Sequence, residues 1–362
     1  MERYTDVKTS SGEYQVVIGT NLNIGEQLKK IHRECRVLLV SDDTVFALYG
    51  EDTVKSLEDS GFTVDTFVFT HGEQSKNINT MNDILEYAGS CHLTRTDMMA
   101  ALGGGVVGDI TGFCSAVYLR GIDFVQIPTT VLAAVDSSVG GKTAIDLKAG
   151  KNLAGAFHQP VGVFLDVNRF NSLPDDIFSE GLAEAIKAGM IQDSELFEIF
   201  EKADSTETGR RFGLDMVDIC ARCIEIKAKV VQIDEFDTGL RRILNFGHTP
   251  AHAIEILSGL KISHGKAVAV GMVIMTKTSE RLGKIPTGST ERLIKVLNKF
   301  GLPSVCDYNA EEMAEIGAVD KKRTGKTMGI ILLEKIGQAY VETIPADRLS
   351  EYFDTTLFTN RD

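Results

Sequence analysis

The chain has 362 residues, more than one ordinary hydrophobic core organises, so two domains are expected. Hydrophobic residues make up 43% and charged residues 25%, the balance of a folded, water-exposed protein, and a formal net charge of -13 excludes the broad basic face that nucleic acid requires. No apolar run reaches the ~20 residues that span a bilayer, and the opening Met1 to Asp6 lacks the apolar centre of an export signal, so a cytoplasmic protein with no membrane or nucleic-acid partner is expected.

In chain order, residues 3–9 and 14–18 suit an opening hairpin. Short apolar, β-branched runs follow at 36–41, 63–69, 97–102, 123–127 and 161–165, with helical patterns at 44–59 and 77–90. This alternation predicts βαβ units around a largely parallel sheet. Beyond about residue 171 the texture changes to long amphipathic stretches at 176–191, 194–202, 214–232, 250–257, 265–282 and 290–300, closing with a hairpin at 327–333 and 338–342. The expected fold is an α/β nucleotide-binding domain over residues 1–170 followed by a mostly α-helical domain over residues 171–362. Cys220 and Cys223 fall on one face of a helical segment and lack a second pair to complete a zinc site, so they read as two buried thiols.

The segment 100–109, Ala-Ala-Leu-Gly-Gly-Gly-Val-Val-Gly-Asp, runs from a strand towards a helix expected at 110–119. Gly103, Gly105 and Gly108 satisfy G-x-G-x-x-G in a strand–turn–helix context, where glycines let the backbone approach a pyrophosphate and the helix N-terminus favours its charge. The turn follows a middle strand, and no acidic residue stands at the usual distance for an adenine ribose. Asp42, ending the first good strand, is the better candidate for a ribose hydroxyl. A second polar stretch holds Thr129, Thr130, Asp136, Ser137, Ser138, Gly140, Gly141, Lys142 and Thr143, then Gly150, Lys151 and Asn152. Lysines beside glycines and hydroxyls suit a phosphate or carboxylate, and the stretch reads as a binding loop.

In the second half, Glu184 and Lys187 share one helical face. His248 and His252 sit four apart and His264 follows. Thr249-Pro250 reads as a helix cap and first helical residue, which places His248 before the helix and His252 in its first turn. One carboxylate with two imidazoles would make an open zinc site. Lys227, Arg241, Lys321 and Lys322, with Lys142 and Lys151, could turn an acidic protein's cleft into a receptor for a polyanion.

The segments 103–109, 118–121, 128–130, 136–143, 150–152, 244–249 and 263–265 together resemble the 3-dehydroquinate synthases, a family of sugar-phosphate cyclases, in order and over nearly the whole chain. The resemblance implies conversion of 3-deoxy-D-arabino-heptulosonate 7-phosphate to 3-dehydroquinate and phosphate in the shikimate pathway. NAD would be oxidant and then reductant within one cycle, with elimination and an intramolecular aldol closure between. It implies a divalent metal, zinc or alternatively cobalt, held by Glu184, His248 and His264. It places Asp42, Glu73, Lys76, Gly105, Val106, Val107, Gly108, Asp109, Thr129, Thr130, Lys142 and Lys151 at NAD, and Asp136, Lys142, Asn152, Lys187, Lys227, Arg241, Asn245 and His252 around the substrate. Arg120 would reach a neighbouring subunit's phosphate site in a homodimer. Another sugar-phosphate cyclase, or a metal-dependent polyol dehydrogenase, is the alternative. Asp237 stands where the family usually carries Glu, Lys266 where Glu is common, and Ala251 where Gly is common.

Overall fold

A computed structural model describes residues 2–204, 213–319 and 326–356. They divide into two compact units, Met1–Leu173 with Met216–Phe236, and Pro174–Asp215 with Asp237–Asp362.

The first unit opens on the antiparallel hairpin β1 (Arg3–Thr9) and β2 (Gly12–Gly19), in the expected place. It continues through α1 (Ile24–Ile31), β3 (Arg36–Asp42), α2 (Asp43–Asp59), β4 (Thr63–Phe69), α3 (Ile78–Ser90), β5 (Met98–Gly103), α4 (Gly105–Val117), β6 (Asp123–Pro128), β7 (Lys142–Leu147), β8 (Gly150–Phe157) and β9 (Gly162–Asp166). The main sheet has the order β1-β2-β9-β6-β5-β3-β4 and is parallel from β2 onward. Its central strands are apolar on both faces, as a doubly covered sheet requires. On β3, Leu38 and Val40 pack in one cluster with Ile84, Val107 and Ile110, while Val37 and Leu39 pack in another with Leu28 and Leu57. Because β4 lies on one side of β3 and β5 on the other, the chain reverses direction between β3 and β5, where ligands of such sheets bind beyond the strand ends.

The chain next forms α5 (Asp175–Gln192) and α6 (Ser194–Lys202) of the second unit, then returns to the first as α7 (Met216–Ile233). Sequence position assigned this helix to the second domain. Its apolar face, which includes the buried Cys220 and Cys223, belongs instead with the first unit, where it packs on β1.

The second unit comprises α5, α6, α8 (His248–Leu257), α9 (His264–Arg281), α10 (Ser289–Lys299), α11 (Ala310–Val319) and the antiparallel hairpin β10 (Thr327–Lys335) with β11 (Gln338–Pro345). α9 is buried almost all round, with Ala267, Val268, Ala269, Val270, Met272 and Val273 at most 1% exposed, so it is the central helix of this unit.

Three further expectations are corrected. α4 begins at Gly105, not residue 110, because its glycines are packing residues as well as turn residues: a Cβ at Gly108 would stand 2.6 Å from the Gln126 side chain of β6. The supposed loop at 142–152 is largely the hairpin β7–β8, whose alternating exposure hid its strand character. α8 begins at His248, since Gly247 at φ 77° makes the turn and Thr249 is already helical. Pro250 is tolerated there because a first-turn N–H has no intrahelical acceptor to lose.

Candidate functional site

The strand register sets the nucleotide-type cradle of the first unit. Ser41 pairs with Leu102 and Gly103 with Pro128, so Asp42, the Gly103–Gly105 turn and Thr129 stand at three adjacent strand ends. The N-terminus of α4 has no side-chain cap, which leaves its first N–H groups to a ligand. Close by, a Cβ at Gly104 would lie 3.2 Å from Thr130 and one at Gly105 would lie 3.2 Å from the Ser137 hydroxyl. The buried hydroxyls of Thr129 and Ser137 have no hydrogen-bond partner among the described residues. Bare N–H groups, unpaired hydroxyls and backbone free of side chains fit a dinucleotide. Asp42 also caps α2, accepting from the Val45 N–H at 2.8 Å, and burial raises its pKa.

A second group forms around Lys76, which is 4% exposed. Its ammonium donates to Asp109 of α4 and to Asn152 of β8, both at 2.6 Å. Asn152 is held at φ 54°, with its own N–H on Asp146 at 2.8 Å. Burial pushes the Asp109 pKa up to about 6, against the pull of Lys76. Lys151 stands 3.7 Å from Glu73. A third pair joins Lys227 of α7 to Asp136, at 2.5 Å to the carboxylate and 2.6 Å to the carbonyl. Lys142 and Arg120 are exposed.

In the second unit, glycines bring the metal-type ligands together. A Cβ at Gly265 would collide with the Glu180 carbonyl of α5, and one at Gly271 with the Gly247 carbonyl before α8. α9 therefore lies directly against both elements, and Glu184, His248 and His264 meet with their donor atoms all within 4.8 Å of one another. Nε2 of His248 is 3.6 Å and Nε2 of His264 is 3.4 Å from Oε1 of Glu184. Glu184 is 2% exposed, and neither carboxylate oxygen has a well-oriented hydrogen bond, although the Lys187 ammonium is in ion-pair contact. Burial opposes the charge on Glu184, but Lys187, His248 and His264 hold its pKa well below the usual range. Burial and the Lys187 charge depress His248 to about 3. For His264, burial is outweighed by Glu184 and Glu255, which push its pKa up to about 10. Two imidazoles and an under-bonded carboxylate fit a divalent transition ion with coordination positions left open.

His252 is four residues after His248 on the same helix, its ring centroid 5.7 Å away, and it is exposed and outside the three-donor group. Arg241 is buried and Asn245 exposed, both on the short turn that precedes α8. Lys321 and Lys322 lie outside the described residues. Lys266 pairs with Glu180 at 3.1 Å and Ala251 is wholly buried, so two of the three departures from the family pattern have local structural roles. Glu255 was missed. It lies seven residues after His248 on α8, a spacing that returns to the same helix face, and this was the available signal.

The fold recurs in solved structures. A 2-epi-5-epi-valiolone synthase from Streptomyces hygroscopicus, solved with NAD+ and Zn2+ bound, superposes with a TM-score of 0.85 at 25% identity, covering 97% of this chain and 98% of that one. The parallel sheet with its glycine-rich turn and the helical unit with its Glu–His–His cluster place the chain in the fold class of that cyclase. Residues 66–180 match the family model of the 3-dehydroquinate synthase N-terminal domain, and residues 181–323 that of the C-terminal domain. The 3-dehydroquinate synthase of Clostridium acetobutylicum is 41% identical over 96% of this chain and 98% of its own length; that of Enterococcus faecalis (strain OG1RF) is 39% identical over 98% and 99%. The chain belongs to the 3-dehydroquinate synthase family.

Proposed function

We propose that the chain converts 3-deoxy-D-arabino-heptulosonate 7-phosphate to 3-dehydroquinate and inorganic phosphate. Within the family match, the observation that carries this reading is the grouping of the buried Glu184 and His248 with the half-buried His264, and Lys187 alongside. NAD supplies a two-electron oxidant that is regenerated within the cycle, and a divalent ion, proposed to be zinc, supplies Lewis acidity towards the hydroxyl being oxidised.

The chain's own residues bind and orient. Asp42 accepts a ribose hydroxyl, while Gly105, Val106, Val107 and Gly108 present backbone and an open helix N-terminus to the pyrophosphate. Thr129 and Thr130 offer hydroxyls to the same cofactor, and Glu73, Lys76, Asp109, Lys142 and Lys151 complete its surroundings. Glu184, His248 and His264 hold the ion. Lys187, Lys227, Arg241 and Lys142 supply positive charge for the substrate's carboxylate and phosphate, and Asp136, Asn152, Asn245 and His252 supply hydrogen bonds to its hydroxyls. The lysines already paired with Asp136 and Asp109 are fixed in place, so little rotamer freedom remains to be lost when an anion binds.

The reading includes a homodimer in which Arg120 reaches the partner's phosphate position. Its support is the exposed loop at Leu119 and Arg120, two successive non-glycine residues at φ 49° and 70°, held by Arg95 donating to the Leu119 carbonyl at 3.3 Å. Such backbone is kept where it serves a purpose. A cytoplasmic location is proposed with it, because the NAD and phosphorylated sugar acid it uses are intracellular metabolites.

The test is to incubate metal-loaded protein and substoichiometric NAD with the heptulosonate phosphate, following phosphate and nicotinamide absorbance. Phosphate released over many turnovers without accumulating NADH is expected. Phosphate release from sedoheptulose 7-phosphate or glucose 6-phosphate alone would move the chain to another cyclase activity, and stoichiometric NADH from a polyol would overturn the reading.

A further inference from the structure

The two histidines of the metal-type cluster are oriented alike. Each presents Nε2 to Oε1 of Glu184, at 3.6 Å for His248 and 3.4 Å for His264. Each must therefore keep a lone pair on Nε2 and a proton on Nδ1 to act as a neutral ligand. What faces Nδ1 decides this, because a hydrogen bond at one ring nitrogen sets the state of the other. For His248 the facing group is the Phe246 backbone carbonyl, at 3.2 Å. For His264 it is Oε1 of Glu255, at 3.6 Å, an ion-pair contact a few tenths of an ångström longer than a hydrogen bond.

Glu255 is built into this position. It is 8% exposed, on the helix whose first residue is His248. Seven residues is close to two helical turns, so α8 carries one ligand and, two turns on, the carboxylate facing the ligand contributed by α9. His264 is the first residue of α9, and its side chain is one-third exposed. With His248 seated by its own backbone turn and His264 not, the second ring is the one that needs a side-chain support.

We propose that Glu255 is a positioning residue for the metal centre, accepting the Nδ1 proton of His264 and so fixing both its tautomer and its ring plane. Glu255 lies outside the three-donor group. It acts through His264, raising that ligand's basicity and reducing the reorganisation needed when the ion binds. The inference rests on the proposed metal role of Glu184, His248 and His264.

The experiment measures Co2+ affinity by competition against a chromophoric chelator and records the visible d–d spectrum of the Co2+ protein. It compares wild type, Glu255→Gln, Glu255→Asp, Glu255→Ala and His248→Ala, each checked for its folded circular dichroism spectrum. Wild type is expected to bind one ion per chain and His248→Ala to lose it. If wild type binds no ion, or His248→Ala binds as tightly as wild type, the metal reading itself fails. With that reading intact, Glu255→Ala should bind about 10- to 100-fold more weakly, with an altered d–d band and turnover recovered at saturating metal. Glu255→Gln, which keeps shape and an acceptor oxygen, should fall between, and Glu255→Asp should recover part of the loss. Folded Glu255→Ala and Glu255→Gln with wild-type affinity and spectrum would overturn the inference.

Discussion

Gly247 and Gly271 stand backbone to backbone: the carbonyl oxygen of the first occupies the place a Cβ of the second would take. Gly247 is also held at φ 77°, a conformation that costs any other residue. His248 follows it directly, so the spacing of two helix backbones sets where a proposed ligand lies. Gly271→Ala should push α9 away from the start of α8. We expect it to destabilise the protein by about 1–3 kcal/mol and to weaken Co2+ binding at least as much as Glu255→Ala. Denaturant midpoints and metal titration would check both. A stable variant with normal metal affinity would show that this close approach does not position His248.

The pairing of Lys76 with Asp109 should be visible in the pH dependence of stability. Burial raises the Asp109 pKa to about 6, above the ~3.9 of an unfolded Asp, and Lys76 is what limits the rise. A raised carboxyl pKa costs nothing below the unfolded value, and stability falls as pH rises through the folded value. Removing Lys76 raises that value further, so the loss grows and extends to higher pH. Lys76→Met should therefore be only mildly destabilising near pH 4 and progressively more so towards pH 8, where about 3 kcal/mol is lost. Urea midpoints of wild type and variant across that range test this, and a pH-independent difference would mean that Asp109 is not the responsible charge.

Much of this was legible in the sequence, for reasons particular residues show. β3, β5 and β6 are apolar runs bounded by polar turns, because both faces of their sheet are covered, and burial on both faces leaves a local pattern. The hairpin β7–β8 has Lys142, Lys151, Asn152 and Leu153 exposed, so its composition resembled a loop. α7 was recognised as a helix but misassigned to a unit, since its partner β1 lies some two hundred residues earlier and local periodicity says nothing of distant packing. At the site, the Glu184–Lys187 spacing was readable because both lie on one helix. The seven-residue spacing of His248 and Glu255 was also available, but which ring nitrogen of His264 faces Glu255 is a fact of geometry between two helices that local spacing does not carry.

Glu184 and His248 on one side and His252 on the other separate by role. His248→Ala and Glu184→Ala should abolish phosphate release and metal retention together. His252→Ala should keep one ion per chain while raising KM or lowering kcat, since His252 lies outside the three-donor group. Chelation of wild type should stop turnover, and Zn2+ or Co2+ should restore it. Bound ion should also stabilise the fold, by about 2.7 kcal/mol at a hundredfold excess over Kd. Retained metal in His248→Ala, or its loss in His252→Ala, measured by elemental analysis after dialysis, would reverse the assignment.

Glu235 gives the clearest prediction away from the site. Near the end of α7's unit, its carboxylate accepts the Ser10 N–H at 2.7 Å, the Ser10 hydroxyl at 2.5 Å, the Ser11 hydroxyl at 2.7 Å and the Gln159 amide at 2.9 Å. Burial works against the charge, but these donors prevail and hold its pKa down to about 2. The segment leaves the first unit two residues later, at Asp237 with φ 59°. A depressed carboxyl pKa contributes stability that is fully present above the unfolded value of ~4.3 and is lost as pH falls towards the folded value. Glu235→Ala should therefore lower stability by about 1–2 kcal/mol at neutral pH, after allowance for solvent screening. The gap from wild type should narrow steadily between about pH 4 and pH 2 as the wild-type carboxylate takes up its proton. Thermal melts across this range would show the convergence. A gap that is constant with pH would mean that Glu235 stabilises by packing alone, and that the hydrogen bonds from the β1–β2 turn contribute no charge-dependent anchoring of α7.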